Sequence, residues 1–439
     1  MNRRALMIAA PLVAVGTLMV GLRIGAGEAV ETAQVWTAPP GKPTATGTPY
    51  AWQLLTYLED QGVRETIAMQ DLEVVARGSG GEARWTGASN ADGIAEPGFV
   101  LPGTGPVAIE VKRHGVTLAE GTLTVPAPWS ITTGEAFARP TKLEGHPMKV
   151  LVEGGRLVPG WPTSLWIEID KAKGPKAEPE PGLSVEAPGA ACDGWAELPV
   201  TARAHIAGLE LKTTEPDGTW FGALPVAPGA LFVGMPRWLP EDTADRAVVV
   251  APVARTTAYV EIDDEHGRVA AAALELKAEP GDPSPRATWV IPPLAAGLHW
   301  LVVAGSPLDA TQMKGATIAR PFLVGGGRTE ACRVGPYLAQ HAPVGFPREL
   351  AIDGMATRGA KNRLRHRIGM AIGLVSLLAA ATLETLLLLR AAREAKDALA
   401  RAAAEEDEVP SKPGGNLTVG LLVALLGFAF LAALLVAKG

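Results

Sequence analysis

Only two cysteines occur in 439 residues, Cys192 and Cys332, and they stand far apart. Neither belongs to a CxxC or a mixed Cys/His spacing, which argues against a metal knuckle. Catalytic signatures are missing as well. There is no HExxH, no GxSxG, no Walker loop and no GxGxxG after a strand, so the chain reads as a non-enzyme that needs no cofactor. The seven histidines are scattered. Net charge is −6, with no long basic stripe outside the C-terminal region, so a nucleic-acid footprint is absent. Tyrosine (4) and phenylalanine (8) are scarce, while glycine (50) and proline (37) together make up about a fifth of the chain. That bias fits a GC-rich bacterial genome.

What is present is membrane-seeking sequence. Three apolar runs stand out: Ala5 to Leu22 behind Arg3 and Arg4, then residues 368–389, then residues 416–437. At about 1.5 Å per residue, the two C-terminal runs match the roughly 30 Å hydrocarbon core. Neither has the polar face that a buried soluble helix would show. Residues 1–29 form a signal peptide or an uncleaved N-terminal anchor, with small residues at Gly27 and Ala29 ahead of Val30.

Either reading exports the chain after residue 30. The expected location is the bacterial inner (cytoplasmic) membrane, with most of the chain periplasmic or extracytoplasmic. Residues 390–415 then lie in the cytoplasm, too short for an output domain. One feature opposes this orientation. Arg358, Lys361, Arg363, Arg365 and Arg367 crowd the outer flank of the span, against the positive-inside rule. Long translocated domains largely escape that rule, and the outer cluster suits anionic lipid headgroups.

Inside the span, Glu384 is a carboxylate in hydrocarbon, a placement that costs about 2.5–3.5 kcal/mol at mid-helix. It either reaches the interface near Arg390 or contacts a partner helix. Gly369 and Gly373 form a GxxxG that permits close helix approach, and Gly420 with Ala424 repeats the small-residue spacing. Packing of the two helices against each other accounts for both pairs.

Between linker and membrane the sequence reads as strands and turns. Val107-Ala-Ile-Glu-Val111 and Val116-Thr-Leu118 alternate apolar and polar residues around Gly115, which predicts a hairpin. Ala258-Tyr-Val-Glu-Ile262 and the segment from Arg268 flank the polar turn Asp263-Asp-Glu-His-Gly267. His266 and its acidic neighbours belong to that turn rather than to a metal site. Leu165-Trp-Ile-Glu-Ile169 and Leu298-His-Trp-Leu-Val302 are further strands, and a short helix is expected near Asp60 to Asp71. Composition breaks suggest a linker (30–48), three β domains (49–127, 128–230 and 231–325) and a tether with a basic juxtamembrane segment (326–367).

Asp92-Gly93 followed by Leu101-Pro102 is echoed by Asp217-Gly218 followed by Leu224-Pro225. With the Val107/Ile109/Val111 strand and its returning hairpin, residues 52–125 resemble macroglobulin-like or other bacterial immunoglobulin-like β domains. The resemblance implies a mainly β ectodomain of serial immunoglobulin-like sandwiches, joined to a C-terminal transmembrane α-helical hairpin. No Cys-Gly-Glu-Gln thioester sequence is present, so the reactive chemistry of macroglobulins is not implied.

On this topology Cys192 and Cys332 are both exported, where a disulfide persists. A bridge would close a loop of about 140 residues and stabilise by several kcal/mol; two unpaired buried thiols are the alternative. All eleven tryptophans lie in the ectodomain. Trp161 and Trp238 sit beside prolines and offer a surface patch, although core packing is the commoner fate of such rings. The function expected is binding or scaffolding of a protein partner by the exported domains. Two alternatives stay open: an accessory subunit associating through its membrane helices, and a carbohydrate-binding envelope module.

Overall fold

The computed structural model describes residues 16, 19, 29–60, 63–103, 105–124, 131–132, 137–143, 146–168, 176–189, 194–214, 217–307, 317–326, 331–341 and 343–405. Two bodies are present. One is β-rich and holds residues 32–57 and 66–354; the other contains the C-terminal helix.

Alternating sequence builds the first β unit. Val107–Arg113 pairs with Val116–Leu123 through the turn at His114 and Gly115, the hairpin that the alternation predicts. Leu72–Gly78 and Gly81–Gly87 complete that sheet. Facing it is a second sheet in which Val30–Thr37 lies between Gln53–Asp60 and Glu349–Asp353. Val35, Trp52, Leu54, Val74, Ile109, Val111 and Ile352 share one core between the two layers. Gly93 closes a loop beside it at φ 76°, where an added Cβ would stand 2.5 Å from the Thr56 carbonyl oxygen. Only glycine meets both demands.

The second unit stacks the five-stranded sheet containing His146–Val152, Pro162–Glu168 and Trp195–Ala202 on the three-stranded sheet of Lys176–Pro179, Ala207–Thr214 and Asp217–Leu224. Val150, Leu165, Ile167, Leu198, Leu209 and Trp220 fill it. The third unit faces Asp245–Val250 and Asp282–Ile291 against Thr257–Asp264, Arg268–Glu275, Gly297–Ala304 and Ile318–Val324.

Gly297–Ala304 is buried on both faces, and its period of two explains how. Leu301 and Val303 enter the core between the sheets, whereas Leu298, Trp300 and Val302 point to the opposite side. There they meet Val334 and Leu338 of the helix Ala331–Ala339. The same helix reaches the second unit, where Ala339 packs with Leu151, Trp166 and Trp195 and the Trp166 ring lies against Gly335.

Three expectations need revising here. Residues 331–353, anticipated as tether, form that helix, a short pair between Val344–Gly345 and Ile131–Thr132, and the strand Glu349–Asp353 on Val30–Thr37. Their pairing partners lie up to 319 positions away, so no local pattern signals them. Within Asp60 to Asp71 the structure has the strand Val63–Thr66 in place of a helix, in keeping with its β-branched residues.

The segment anticipated as linker is also engaged. Val30–Thr37 is a strand, and Pro39 to Lys42 dock on the third unit's turn. Arg268 donates its backbone N–H to Pro39 O at 2.9 Å, and Gly41 N–H donates to Arg268 O at 3.1 Å. Gly267 sits so close to the Pro39 carbonyl that a Cβ has no room.

In the second body, Gly354–Glu405 is one continuous helix of 52 residues, about 78 Å long at 1.5 Å per residue. Its stretch Arg367–Ala402 is long and apolar enough to cross a membrane. The run at 416–437 and most of the N-terminal run fall outside the described residues.

Candidate functional site

Charged side chains inside the β-rich body gather at two junctions between its units. The first joins units one and three. Glu96 follows the short strand Ile94–Ala95, Glu261 and Asp263 lie on Thr257–Asp264, Arg268 opens the next strand, and Arg348 precedes the closing strand. Arg348 donates to Glu261 at 2.8 Å and to Glu96 at 3.4 Å, while Arg268 donates to Glu261 and lies 4.0 Å from Glu96. All are within a few per cent of full burial.

Three carboxyls thus face two guanidinium groups. Asp263 is the one left over: both its oxygens are buried without a hydrogen-bond partner. Burial first, then the charge of Glu261, push its pKa well above the carboxylate range. Its protonated form is therefore favoured over what a solvated carboxyl would show.

Around this network the contacts are polar and specific. Asn90 donates to the Tyr259 hydroxyl at 2.9 Å, and that hydroxyl donates to Asp92 at 3.0 Å. Burial together with Asp92 pushes Tyr259 up to about 12. Asp264 accepts from the backbone N–H groups of His266 (2.7 Å), Gly267 (3.0 Å) and Lys42 (2.6 Å). The acidic turn around His266 therefore caps itself and holds the docked segment. Among the described residues no group of three or more His, Cys, Asp and Glu is arranged to hold a metal ion.

The second junction, between units two and three, contains a cavity of about 310 Å³. Glu153, at the end of the apolar run Val150-Leu-Val, lines it and is almost fully buried. Arg237 Nε donates to both Glu153 oxygens at 3.0 and 2.9 Å, and the Trp166 indole N–H donates to Glu153 at 3.3 Å. Arg237 Nη2 donates to Ser164 Oγ at 2.7 Å and to Glu197 at 2.6 Å, with its guanidinium carbon 5.2 Å from the Trp166 ring centre.

Burial alone would depress Arg237, but the charge and hydrogen bonds of Glu153 and Glu197 hold it above its ordinary value. Burial likewise pushes Glu197 up, yet the bonds from Arg237 and Ser164 win and hold it below the usual range. Arg320 is placed differently. Its Nη1 donates to Val233 O at 3.0 Å, its Nη2 is 3.7 Å from Glu153, and its buried Nε has no partner. Burial lowers its pKa, with Glu153 opposing and Arg237 adding to the shift.

Trp161 and Trp238 both belong to junctions. Trp161 stacks on Phe232 with ring centres 4.5 Å apart and planes 12° from parallel, beside Val158, Ala227, Ala230 and Ile318. Trp238 donates its indole N–H to Gly325 O at 2.9 Å and packs under the helix Ala331–Ala339. Each ring is half-buried rather than laid out as an open platform. Cys332 lies on that helix, but its side chain and Cys192 are outside the described residues, as is the Glu384 side chain. Gly369 and Gly373 lie on the long helix.

Sequence reading alone does not single out Glu153, Glu197, Arg237 and Arg320. The available signal is a charge set within apolar strands, as in Val150-Leu-Val-Glu153 and Ile318-Ala-Arg320-Pro-Phe322.

No family model and no curated protein matches the chain. Solved structures with local likeness include invasin, a bacterial integrin-binding protein, at 11% identity over 67% of this chain and 60% of that one, TM-score 0.17. An Escherichia coli adhesin matches at 16% identity over 69% of this chain and 99% of that one, TM-score 0.17. A Salmonella alpha-2-macroglobulin matches at 13% identity over 68% of this chain and 25% of that one, TM-score 0.15.

Proposed function

We propose that this chain is a non-enzymatic protein of the bacterial cell envelope. A C-terminal helical hairpin anchors it in the inner membrane, and its serial immunoglobulin-like domains stand on the extracytoplasmic side, where they bind or scaffold a protein partner. One observation carries the anchoring part of this reading. Arg367–Ala402 is apolar enough to span a bilayer, yet only 7% of its most apolar stretch is buried within the protein. A core helix of a soluble protein would be covered. An uncovered apolar helix needs lipid or another helix around it.

The scaffolding part is supported by how the β units are joined. Buried ion pairs, a strand supplied from the far end of the region and a bridging helix hold the units in fixed relation. A rigid multi-unit body presents a surface without the ordering cost that a flexible string of domains would incur on binding.

The deciding experiment is photo-crosslinking of the intact protein in its native membrane, followed by identification of the adducts. Adducts from probes on the β units to one recurrent protein are expected. Adducts to lipid alone would overturn the partner-binding reading. Adducts confined to the membrane helix, and lost in Glu384→Leu, would favour an accessory-subunit role instead.

A further inference from the structure

We propose that the apolar run at residues 5–22 is retained as a membrane helix and docks along one face of the span at residues 368–389, bringing Arg3 and Arg4 to Glu384. The proposal rests on the reading of residues 368–389 as a membrane span and names what covers that face. The places where the chain enters and leaves the first β unit lead to it. Val30–Thr37 and Glu349–Asp353 are adjacent antiparallel strands, with Gln34 opposite Asp353. The segment arriving from the N-terminal run and the helix departing at Gly354 therefore meet the same end of one sheet. From Asp353 to Ile368 is about 22 Å of helix. The stretch from Gln34 back to Leu22 reaches up to about 40 Å when extended. Leu22 and Ile368 can thus lie level at the membrane surface, each bounded on that side by an arginine, Arg23 and Arg367.

Depth along the two runs then matches charge to charge. The described residues Gly16 and Met19 are helical, as the apolar run predicts. At about 1.5 Å per residue, Glu384 stands about 24 Å in from Ile368, and Arg4 about 27 Å in from Leu22. A carboxylate that is expensive in hydrocarbon thus comes level with two arginines, whose side chains are long enough to cross the difference. Arg390, the next cation along the helix from Glu384, pairs with Glu394 at 3.5 Å. Residues 416–437, the other apolar run, bring no charge at all.

The helix period sets the contact face. Gly369, Gly373, Ser376 and Glu384 fall within about 80° of one another around the axis. Gly369 and Gly373 are buried and Ser376 is half-buried, whereas Leu374, Val375 and Leu378 on the other sides are exposed. Counted inward from Leu22, Gly21, Thr17 and Ala14 come level with Gly369, Gly373 and Ser376, so small residues meet small residues and the helices can approach closely. Arg3, about five full turns before Gly21, lies on the same face of its run.

The test uses the full-length protein in bacterial membranes, with Cys192→Ser and Cys332→Ser as background. Ala14→Cys with Ser376→Cys should form a disulfide on mild oxidation, found as linked peptides by mass spectrometry, in a chain that still carries residues ahead of Val30. Ala14→Cys with Val375→Cys, turned away around the helix, should link at least about fivefold less. Glu384→Lys should cut the linked fraction of the first pair at least about threefold, because it sets like charges at one depth. A third cysteine, Phe430→Cys, probes the other apolar run. A chain that begins at Val30, equal linkage of the two pairs, linkage of Ser376→Cys to Phe430→Cys or to a second copy in place of Ala14→Cys, or an unaltered fraction in Glu384→Lys would each overturn the inference. Alkaline carbonate extraction separates this from the reading beneath it. Release of the protein would refute the span itself, whereas retention together with any of those results refutes the docking alone.

Discussion

Val35 and Ile352 are register partners across one antiparallel strand pair, and both side chains lie in the core of the first β unit. The strand that closes this unit therefore comes from the far end of the β-rich region. A protein ended after residue 326 loses that strand, the bridging helix and Arg348. It should unfold at a clearly lower urea midpoint than one ended after residue 354. Ile352→Ala alone should destabilise by about 2–4 kcal/mol through the cavity it leaves. Equal midpoints for the two lengths would show that the closing strand is dispensable.

Arg348 holds Glu96 and Glu261 at once in a site closed to water. Arg348→Met leaves both carboxylates to Arg268, and breaking a buried pair in this way costs about 3–5 kcal/mol. Adding Glu96→Gln removes one of the stranded charges and should restore part of the loss. A double-mutant cycle in urea reads the coupling directly. Strict additivity would mean that the two groups do not interact.

Asp263 provides a pH test. Its pKa is raised in the folded protein, so the native state holds a proton that the unfolded chain gives up near pH 4. The unfolded state thus binds fewer protons, and stability falls as pH rises from about 4 toward the folded pKa. Asp263→Asn keeps the shape and removes the titration. The variant should match the native protein in acid and exceed it at neutral and alkaline pH, measured by denaturant midpoints across that range. A constant difference at every pH would sink this account.

Gly267 touches the carbonyl of Pro39 where the N-terminal segment docks on the third unit. Gly267→Ala should force the two apart and destabilise by about 1–3 kcal/mol. Faster hydrogen exchange at the Arg268 amide, which donates to Pro39, would locate the damage. An unchanged exchange rate there would place the effect elsewhere.

Much of the local architecture is legible in the sequence. The alternation in Val107-Ala-Ile-Glu-Val111 and Val116-Thr-Leu118 marks a hairpin, because a strand's side chains switch faces at every residue. The polar turn Asp263 to Gly267 is equally local: Asp264 satisfies the backbone donors of its own loop. The long apolar helix declares itself by length and composition.

Three features were decided by tertiary structure alone. Residues 331–353 look like a tether because their partners, the outer face of Gly297–Ala304 and the strand Val30–Thr37, lie far away in the chain. Trp161 and Trp238 look like candidates for an open face, and only the packing of Phe232 and the Gly325 carbonyl shows them spent on junctions. Glu96, Glu261, Arg268 and Arg348, like Glu153 and Arg237, look like ordinary solvated charges. A charge is stable in the interior only beside an opposite charge, and here that partner is brought in by another strand. Strands such as Val107–Arg113 and Thr257–Asp264, and the helix long and apolar enough to cross a membrane, follow from near neighbours in the sequence. Which charges are buried, and what they hold together, depends on remote ones.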